Sequence, residues 1–265
     1  MIVKMSLYGK KRVVVKLGTS TLTHKTGRLN IRRVEKLCKV LADIHNAGHE
    51  VILVSSGAIG LGMSKLGLRE KPKDTPSKQA CAAVGQCELM YMYDKQFSEY
   101  SLTVAQFLLT KYILIDDRRR NVQNALERVI EQGVIPVVNE NDTVAIDELE
   151  LEVGENDSLA ATVASIAHAD MLIIMSDIDG LYDKDPHEHH DARLIPEVNE
   201  ITGDLRKLAG GAGSSLGTGG MITKINAAEI AMENGVEMVI VNGREPANLY
   251  KIFDGIPVGT KFVKK

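Results

Sequence analysis

Apolar runs rich in β-branched residues alternate with segments of helical periodicity along the whole 265-residue chain. Strands are predicted at residues 13–17, 51–54, 102–109, 134–138, 171–175 and 236–241. Helices are predicted at residues 31–47, 77–100, 118–132, 158–169 and 223–234. This alternation is typical of an α/β fold, and strands that are apolar almost throughout indicate a mainly parallel sheet with helices on both faces.

The charge balance and the cysteines narrow the class of protein. Lys and Arg number 32 against 35 Asp and Glu, so there is no basic excess for a polyanion and we expect no nucleic-acid partner. No apolar stretch has the length of a signal peptide or a membrane span, which predicts no membrane association. The three cysteines lie in helical segments and are interpreted as reduced thiols. The predicted location is cytoplasmic.

Polar clusters follow four of the predicted strands directly. They occupy residues 16–20, 55–58, 139–142 and 176–177. Ligands of open α/β sheets bind beyond the carboxyl ends of the strands. The four clusters therefore predict one site at a single edge of the sheet.

The glycine-rich run at residues 217–224 leads into a helix and places Lys224 one turn inside it. Glycine lets the backbone approach a charged ligand, and the N–H groups at a helix start favour anions. The spacing matches neither the P-loop nor the dinucleotide fingerprint. Lys16, at the end of an apolar strand, adds a second cation. Two converging lysines predict polyphosphate binding and phosphoryl transfer.

The cluster at residues 139–142 is interpreted as a substrate loop. Asp142 and Asn139 offer oxygen acceptors that suit an ammonium group, which favours an amino acid over a sugar. Ser56 and Gly57 fit a close approach to a ligand, although alone they indicate only a strand-to-helix turn. Asp157 alone would be a helix cap, but beside two lysines it is predicted to orient them.

A histidine-rich segment raises the alternative of a metal site. His187, His189 and His190 lie between two prolines, with no predicted element to fix ligand geometry. We interpret this part of residues 183–196 as a solvated surface loop and assign no metal ligand.

Taken together, six ordered motifs resemble the amino acid kinase family. They are residues 14–20, 56–59, 138–142, 156–157, 176–182 and 217–224. The likeness runs from about residue 12 to residue 260, which is nearly the whole chain. It is strongest to the branch that phosphorylates glutamate.

The resemblance implies a three-layer α/β/α sandwich and ATP-dependent phosphorylation of the γ-carboxylate of L-glutamate, the first step towards proline. It implies that Lys16 and Lys224 bind the phosphates while Asp157 organises them, and that Mg²⁺ enters with the nucleotide. Glutamate would be held by Ser56, Gly57, Asn139, Asp142 and Asn156. ATP would be bound by Lys16, Ser176, Asp177, Thr218, Gly219, Gly220, Met221, Ile222, Thr223 and Lys224.

The resemblance also implies one kinase domain over residues 1–265, whose first half mainly binds glutamate and whose second half mainly binds ATP. Relatives often continue into a PUA domain, and this chain resembles the short form without it. Expected partners are a second copy, as a dimer or tetramer, glutamyl phosphate reductase, and proline as a feedback inhibitor. The alternatives are a sibling kinase that phosphorylates acetylglutamate, aspartate, carbamate or UMP, and a non-catalytic sensor of ATP or an amino acid.

Overall fold

A computed structural model describes residues 9–24, 26–110, 116–144, 156–186, 188–211 and 220–263. The strands are β1 (Arg12–Leu17), β2 (Glu50–Ser55), β3 (Val104–Leu109), β4 (Ile135–Glu140), β5 (Met171–Ser176), β6 (Glu197–Val198), β7 (Glu237–Asn242) and β8 (Thr260–Phe262). The helices are α1 (Thr19–Leu22), α2 (Ile31–Asn46), α3 (Ala58–Lys65), α4 (Thr75–Ser98), α5 (Asp116–Glu131), α6 (Asn156–Ile166), α7 (Gly203–Gly211), α8 (Met221–Glu233) and α9 (Asn248–Phe253). Among these described helices, none combines the length and apolar character that crossing a bilayer requires.

The strands form one sheet in the order β3-β4-β2-β1-β5-β7-β8-β6. Every pair is parallel except β7 with β8. Strand β1 lies inside the sheet, where Lys16 faces Val54 on one side and Ile174 on the other. The carboxyl ends of β1, β2, β4, β5 and β7 therefore meet at one edge.

Alternate residues of the strands belong to two separate hydrophobic cores, one on each face of the sheet. Val13 and Val15 belong to the core covered by α2, α3, α4 and α9, whereas Val14 belongs to the core covered by α5, α6, α7 and α8. Successive side chains of a strand point to opposite faces, so strands apolar at every position require helices on both faces. The three-layer α/β/α sandwich predicted from the sequence is confirmed.

The predicted elements agree with the observed ones to within a few residues, but short pieces were missed. The missed elements, all of nine residues or fewer, are α1, α3 beyond the turn that begins it, β6, α7, α9 and β8. Residues 183–196, predicted to be loose, are tied at their base by an antiparallel bridge between Tyr182 and Leu194. Residues 139 and 140, predicted as loop, are the last two residues of β4 and are buried. Parallel pairing with β3 carries the strand that far.

Candidate active site

One buried carboxylate joins the two predicted lysines. The Nζ atom of Lys16 lies 2.6 Å from Oδ1 of Asp157, and the Nζ atom of Lys224 lies 3.1 Å from Oδ2. Thr223 donates its hydroxyl to the same Oδ2 at 2.9 Å. Lys16 comes from β1, Asp157 from the first turn of α6, and the other two from the first turn of α8. We call Lys16, Asp157 and Lys224 the charged triad.

The charged triad is withdrawn from water, with Lys16 9%, Asp157 2% and Lys224 7% exposed. Burial alone would raise the pKa of Asp157, but the two ammonium groups and the Thr223 hydroxyl outweigh it and lower the pKa to about 2. Two ammonium groups and one carboxylate leave one net positive charge in a buried setting. Such a site attracts an anion, because charge interactions strengthen away from water.

Helix α8 begins where the glycine-rich run ends. Gly220 is its N-cap and makes no side-chain capping bond, and Lys224 follows one turn later. Because the N-cap residue has no side chain to accept from them, the first N–H groups of α8 are suited to bind a phosphate. The structure places Gly220, Met221, Ile222 and Thr223 here, as the sequence predicted. Thr218 and Gly219 lie outside the described residues.

A chain of side-chain amides crosses the site beside the charged triad. Asn156 Nδ2 donates to the carbonyl oxygen of Ser55 at 2.9 Å, to Oγ of Ser56 at 2.8 Å and to Oδ1 of Asn139 at 2.9 Å. Asn139 Nδ2 then donates to Oε1 of Gln86 at 2.9 Å. We call Asn156, Asn139 and Gln86 the amide relay. It joins the ends of β2 and β4 to helix α4.

The turn after β2 requires glycine. Gly57 has a φ of +104°, in the left-handed region, and is the N-cap of α3. The backbone N–H of Ser56 donates to the carbonyl oxygen of Leu17, which fixes this turn against the end of β1. The predicted strand-to-helix turn at Ser56 and Gly57 is thus observed, and it lies on the amide relay.

A cavity of about 240 Å³ opens beside the relay. Among its lining residues are Gln86, Cys87, Gln106, Glu140 and Asp142. The structure thus brings Asp142 to a concave surface that also contains one end of the relay. An acidic and amide-lined hollow of this size suits a small polar molecule.

A second polar group lies at the end of β5. The hydroxyl of Ser176 lies 3.3 Å from a carboxylate oxygen of Asp177. Asn242, the last residue of β7, faces Ser176 in the register and donates to Asp179 at 2.7 Å. Asn242 was missed from the sequence, although it follows an apolar strand just as the predicted clusters do.

The predicted site residues that the structure describes therefore fall into three neighbouring groups at one edge of the sheet. These groups are the charged triad with the start of α8, the amide relay with the Asp142 cavity, and the pair Ser176 and Asp177. Gln86 was also missed, because one glutamine in a helix carries no signal in sequence. The signal that could have found it is burial, since Gln86 is only 8% exposed.

Known proteins resemble this chain along most of its length. The model of the amino acid kinase family matches residues 11–242. A protein of Clostridium perfringens called "Glutamate 5-kinase" is 51% identical over 99% of this chain and 98% of its own. A protein of the same name from Caldanaerobacter subterraneus is 53% identical over 95% of this chain and 68% of its own.

Solved structures of lower identity agree in fold. Carbamate kinase from Giardia lamblia bound to AMP-PNP superimposes with a TM-score of 0.66 over 97% of this chain and 99% of its own, at 19% identity. The family match covers most of the chain, and the relatives called glutamate 5-kinase align along almost all of it. This chain belongs to the amino acid kinase family.

Proposed function

We propose that this chain is a glutamate 5-kinase, which transfers the γ-phosphoryl group of ATP to the γ-carboxylate of L-glutamate. The product, L-glutamyl 5-phosphate, is the first intermediate towards proline. The observation that carries the proposal is the charged triad, in which Lys16 and Lys224 converge on Asp157 at the carboxyl edge of the sheet. Full-length similarity to proteins called glutamate 5-kinase supports the choice of acceptor.

This phosphoryl transfer requires positive charge near the phosphate oxygens and does not require a general base. A γ-carboxylate is ionised at neutral pH, so its oxygen attacks the γ-phosphorus directly, one P–O bond forms, and the bond to the β-phosphate oxygen breaks to release ADP. Negative charge shifts to the bridging and equatorial oxygens during transfer. Lys16 and Lys224 are positioned to stabilise those oxygens, and Asp157 keeps both ammonium groups in place. Asp157 does not act as a general base, because the ionised γ-carboxylate has no proton for it to remove.

The two substrates are assigned to different parts of the edge. Glutamate is assigned to Ser56, Gly57, Asn139, Asp142 and Asn156. Asn139 and Asn156 belong to the relay, Ser56 bonds to Asn156 beside Gly57, and Asp142 lines the cavity. The nucleotide lies over the start of α8 and the end of β5, against Ser176, Asp177 and residues 220–224. Thr218 and Gly219, outside the described residues, are assigned to it from the sequence alone. The N-terminus of α8, whose N-cap has no side chain, suits its phosphates.

Mg²⁺ is assigned to the nucleotide and not to a cage of protein ligands. Within the described parts of the chain, no group of three or more acidic, histidine or cysteine side chains is arranged to hold a metal ion. Both oxygens of Asp157 already bind lysines. Such a donor set fits an ion that keeps its waters and binds chiefly to phosphate oxygens, where it would neutralise their charge.

Assembly and regulation follow as proposals from the same activity. A homodimer or homotetramer, supply of the labile acyl phosphate to glutamyl phosphate reductase, and inhibition by proline all fit a γ-glutamyl kinase. Proline shares the α-amino and α-carboxyl groups of glutamate, so it could compete for the Asp142 cavity. The cytoplasmic location and the single domain stay predictions.

The activity is tested by ADP release from Mg·ATP with L-glutamate, N-acetyl-L-glutamate, L-aspartate, carbamate or UMP as acceptor. Hydroxylamine in the mixture traps an acyl phosphate as a hydroxamate. We expect ADP and hydroxamate in equal amounts with L-glutamate. Turnover with another acceptor would reject glutamate, and an ATP-binding chain that turns over none would favour a sensor.

A further inference from the structure

Gln86 ends the amide relay and carries a side-chain N–H donor that the relay does not use. Its side chain is only 8% exposed, and its Nε2 atom is buried without a hydrogen-bond acceptor among the described residues. Buried side-chain donors are nearly always paired in native proteins. A donor left unpaired beside a cavity indicates that something binding there supplies the acceptor.

The orientation of the Gln86 amide is fixed from the far end of the relay. The backbone carbonyl of Ser55 can only accept, so Asn156 must present its nitrogen there. The same nitrogen meets the oxygen of Asn139, which turns the Asn139 nitrogen towards Gln86. Gln86 must therefore accept this hydrogen bond from Asn139 with its Oε1 atom. Exchanging the oxygen and nitrogen of Gln86 would set two donors against each other.

We propose that Gln86 is a specificity-determining residue whose Nε2 donates to the α-carboxylate of the amino-acid substrate, beside Asp142, which accepts from its α-ammonium group. Both side chains line the same 240 Å³ cavity. A donor and a carboxylate together match the two charged groups of an amino-acid head. This inference rests on the proposed function, since it names how that site recognises glutamate.

The relay also explains how the two ends of the substrate are coordinated. At one end, Asn156 binds Ser56 and adjoins Asp157 of the charged triad, where the γ-carboxylate reacts. At the other end, Gln86 faces the cavity. Because Asn139 bonds to both Asn156 and Gln86, the head subsite and the reaction site are held in one rigid network.

Two substitutions separate the roles of the two amide atoms. Gln86→Glu keeps an oxygen for Asn139 but replaces the donor by a carboxylate oxygen, whereas Gln86→Met removes both polar atoms. We expect Gln86→Met to raise the KM for L-glutamate about tenfold and Gln86→Glu to raise it further, because like charges then meet. The KM for 4-aminobutyrate, which lacks the α-carboxylate, should change less than threefold by the same reasoning. Gln96→Met on the same helix is the control.

Binding is measured separately through Cys87. It lines the cavity and is exposed, whereas Cys38 and Cys81 are buried, so iodoacetamide should label it selectively. We expect L-glutamate to slow the labelling of the wild-type chain and of Gln96→Met, and to protect Gln86→Glu only at concentrations at least tenfold higher. Circular dichroism confirms that each variant is folded.

The outcomes separate this inference from the proposed function. Equal KM and equal protection in the wild type and both Gln86 variants would overturn the role of Gln86 while leaving glutamate phosphorylation intact. A parallel rise in KM for glutamate and 4-aminobutyrate would overturn it too, by assigning Gln86 to positioning alone. A wild-type chain that glutamate protects but that does not phosphorylate it would reject the proposed function and retain the subsite.

Discussion

Gly85 of α4 packs directly against the backbone of Ala58 in α3, so that a Cβ atom on Gly85 would overlap the carbonyl oxygen of Ala58. Gly85 precedes Gln86, and Ala58 follows Gly57. This contact sets the distance between the turn after β2 and the end of the amide relay. The packing of α3 on α4 and the position of Gln86 in the proposed substrate site therefore both depend on the absence of a Cβ atom at Gly85.

Replacing Gly85 by alanine should separate α3 from α4. The overlapped atoms belong to the backbone of Ala58, which cannot rotate aside as a side chain can. We therefore expect the free energy of unfolding to fall by about 3 kcal/mol. Gly60→Ala in α3 is the control, because a Cβ there meets nothing within 4 Å. It should gain about 0.5 kcal/mol from helix propensity. Urea unfolding measures both, and equal stability of the two variants would refute the packing argument.

Lys224→Ala should lower kcat far more than it raises the KM for glutamate. Its charge is needed chiefly on the transferring group, so we expect a loss of about a hundredfold or more in kcat. Steady-state ADP release measures both constants, with exposed Lys39→Ala as the control. An unchanged kcat with only a raised glutamate KM would contradict the assignment.

Asp142→Ala should act in the opposite sense. Losing the acceptor for the α-ammonium group should raise the glutamate KM about tenfold or more, with a smaller change in kcat. Glutamate saturation curves measure this, and Asp94→Ala on the exposed side of α4 serves as the control. Normal saturation would remove Asp142 from the substrate site.

Asp157 should make the fold sensitive to acid. Its pKa is lowered from 3.8 to about 2, so its contribution to stability is complete above about pH 5 and is lost as the pH falls from about 4 towards 2. The shift corresponds to about 2 kcal/mol. We therefore expect Asp157→Asn to be less stable than the wild type near neutral pH.

The difference between wild type and Asp157→Asn should shrink over that acid window, as denaturant unfolding at pH 2, 3, 4 and 6 would measure. Asp204→Asn, at an exposed carboxylate on α7, should leave the pH dependence of the wild type unchanged. A constant difference between wild type and Asp157→Asn at all four pH values would contradict the low pKa.

The α/β class and the long elements could be predicted because the apolar strands and helical periods are strong local signals. The charged triad could be named because Lys16 ends an apolar strand and Lys224 follows a glycine-rich run. Strand order could not be read, since pairing of β1 with β2 and β5 depends on contacts far apart in sequence. Gln86 could not be found for the same reason, because its partner Asn139 lies on a different element.

The sheet order divides the chain into two parts, and the active site forms only when both parts are assembled. Among the described strands, β3, β4, β2 and β1 precede residue 141 and β5, β7, β8 and β6 follow residue 170, and strand pairing links the two sets between β1 and β5. Lys16 belongs to the first set, whereas Asp157 and Lys224 follow it along the chain. If the chain were divided between residues 144 and 156 and the two fragments expressed separately, neither fragment alone would have kinase activity. Phosphoryl transfer on mixing them would report their reassembly, which makes this chain a candidate complementation reporter.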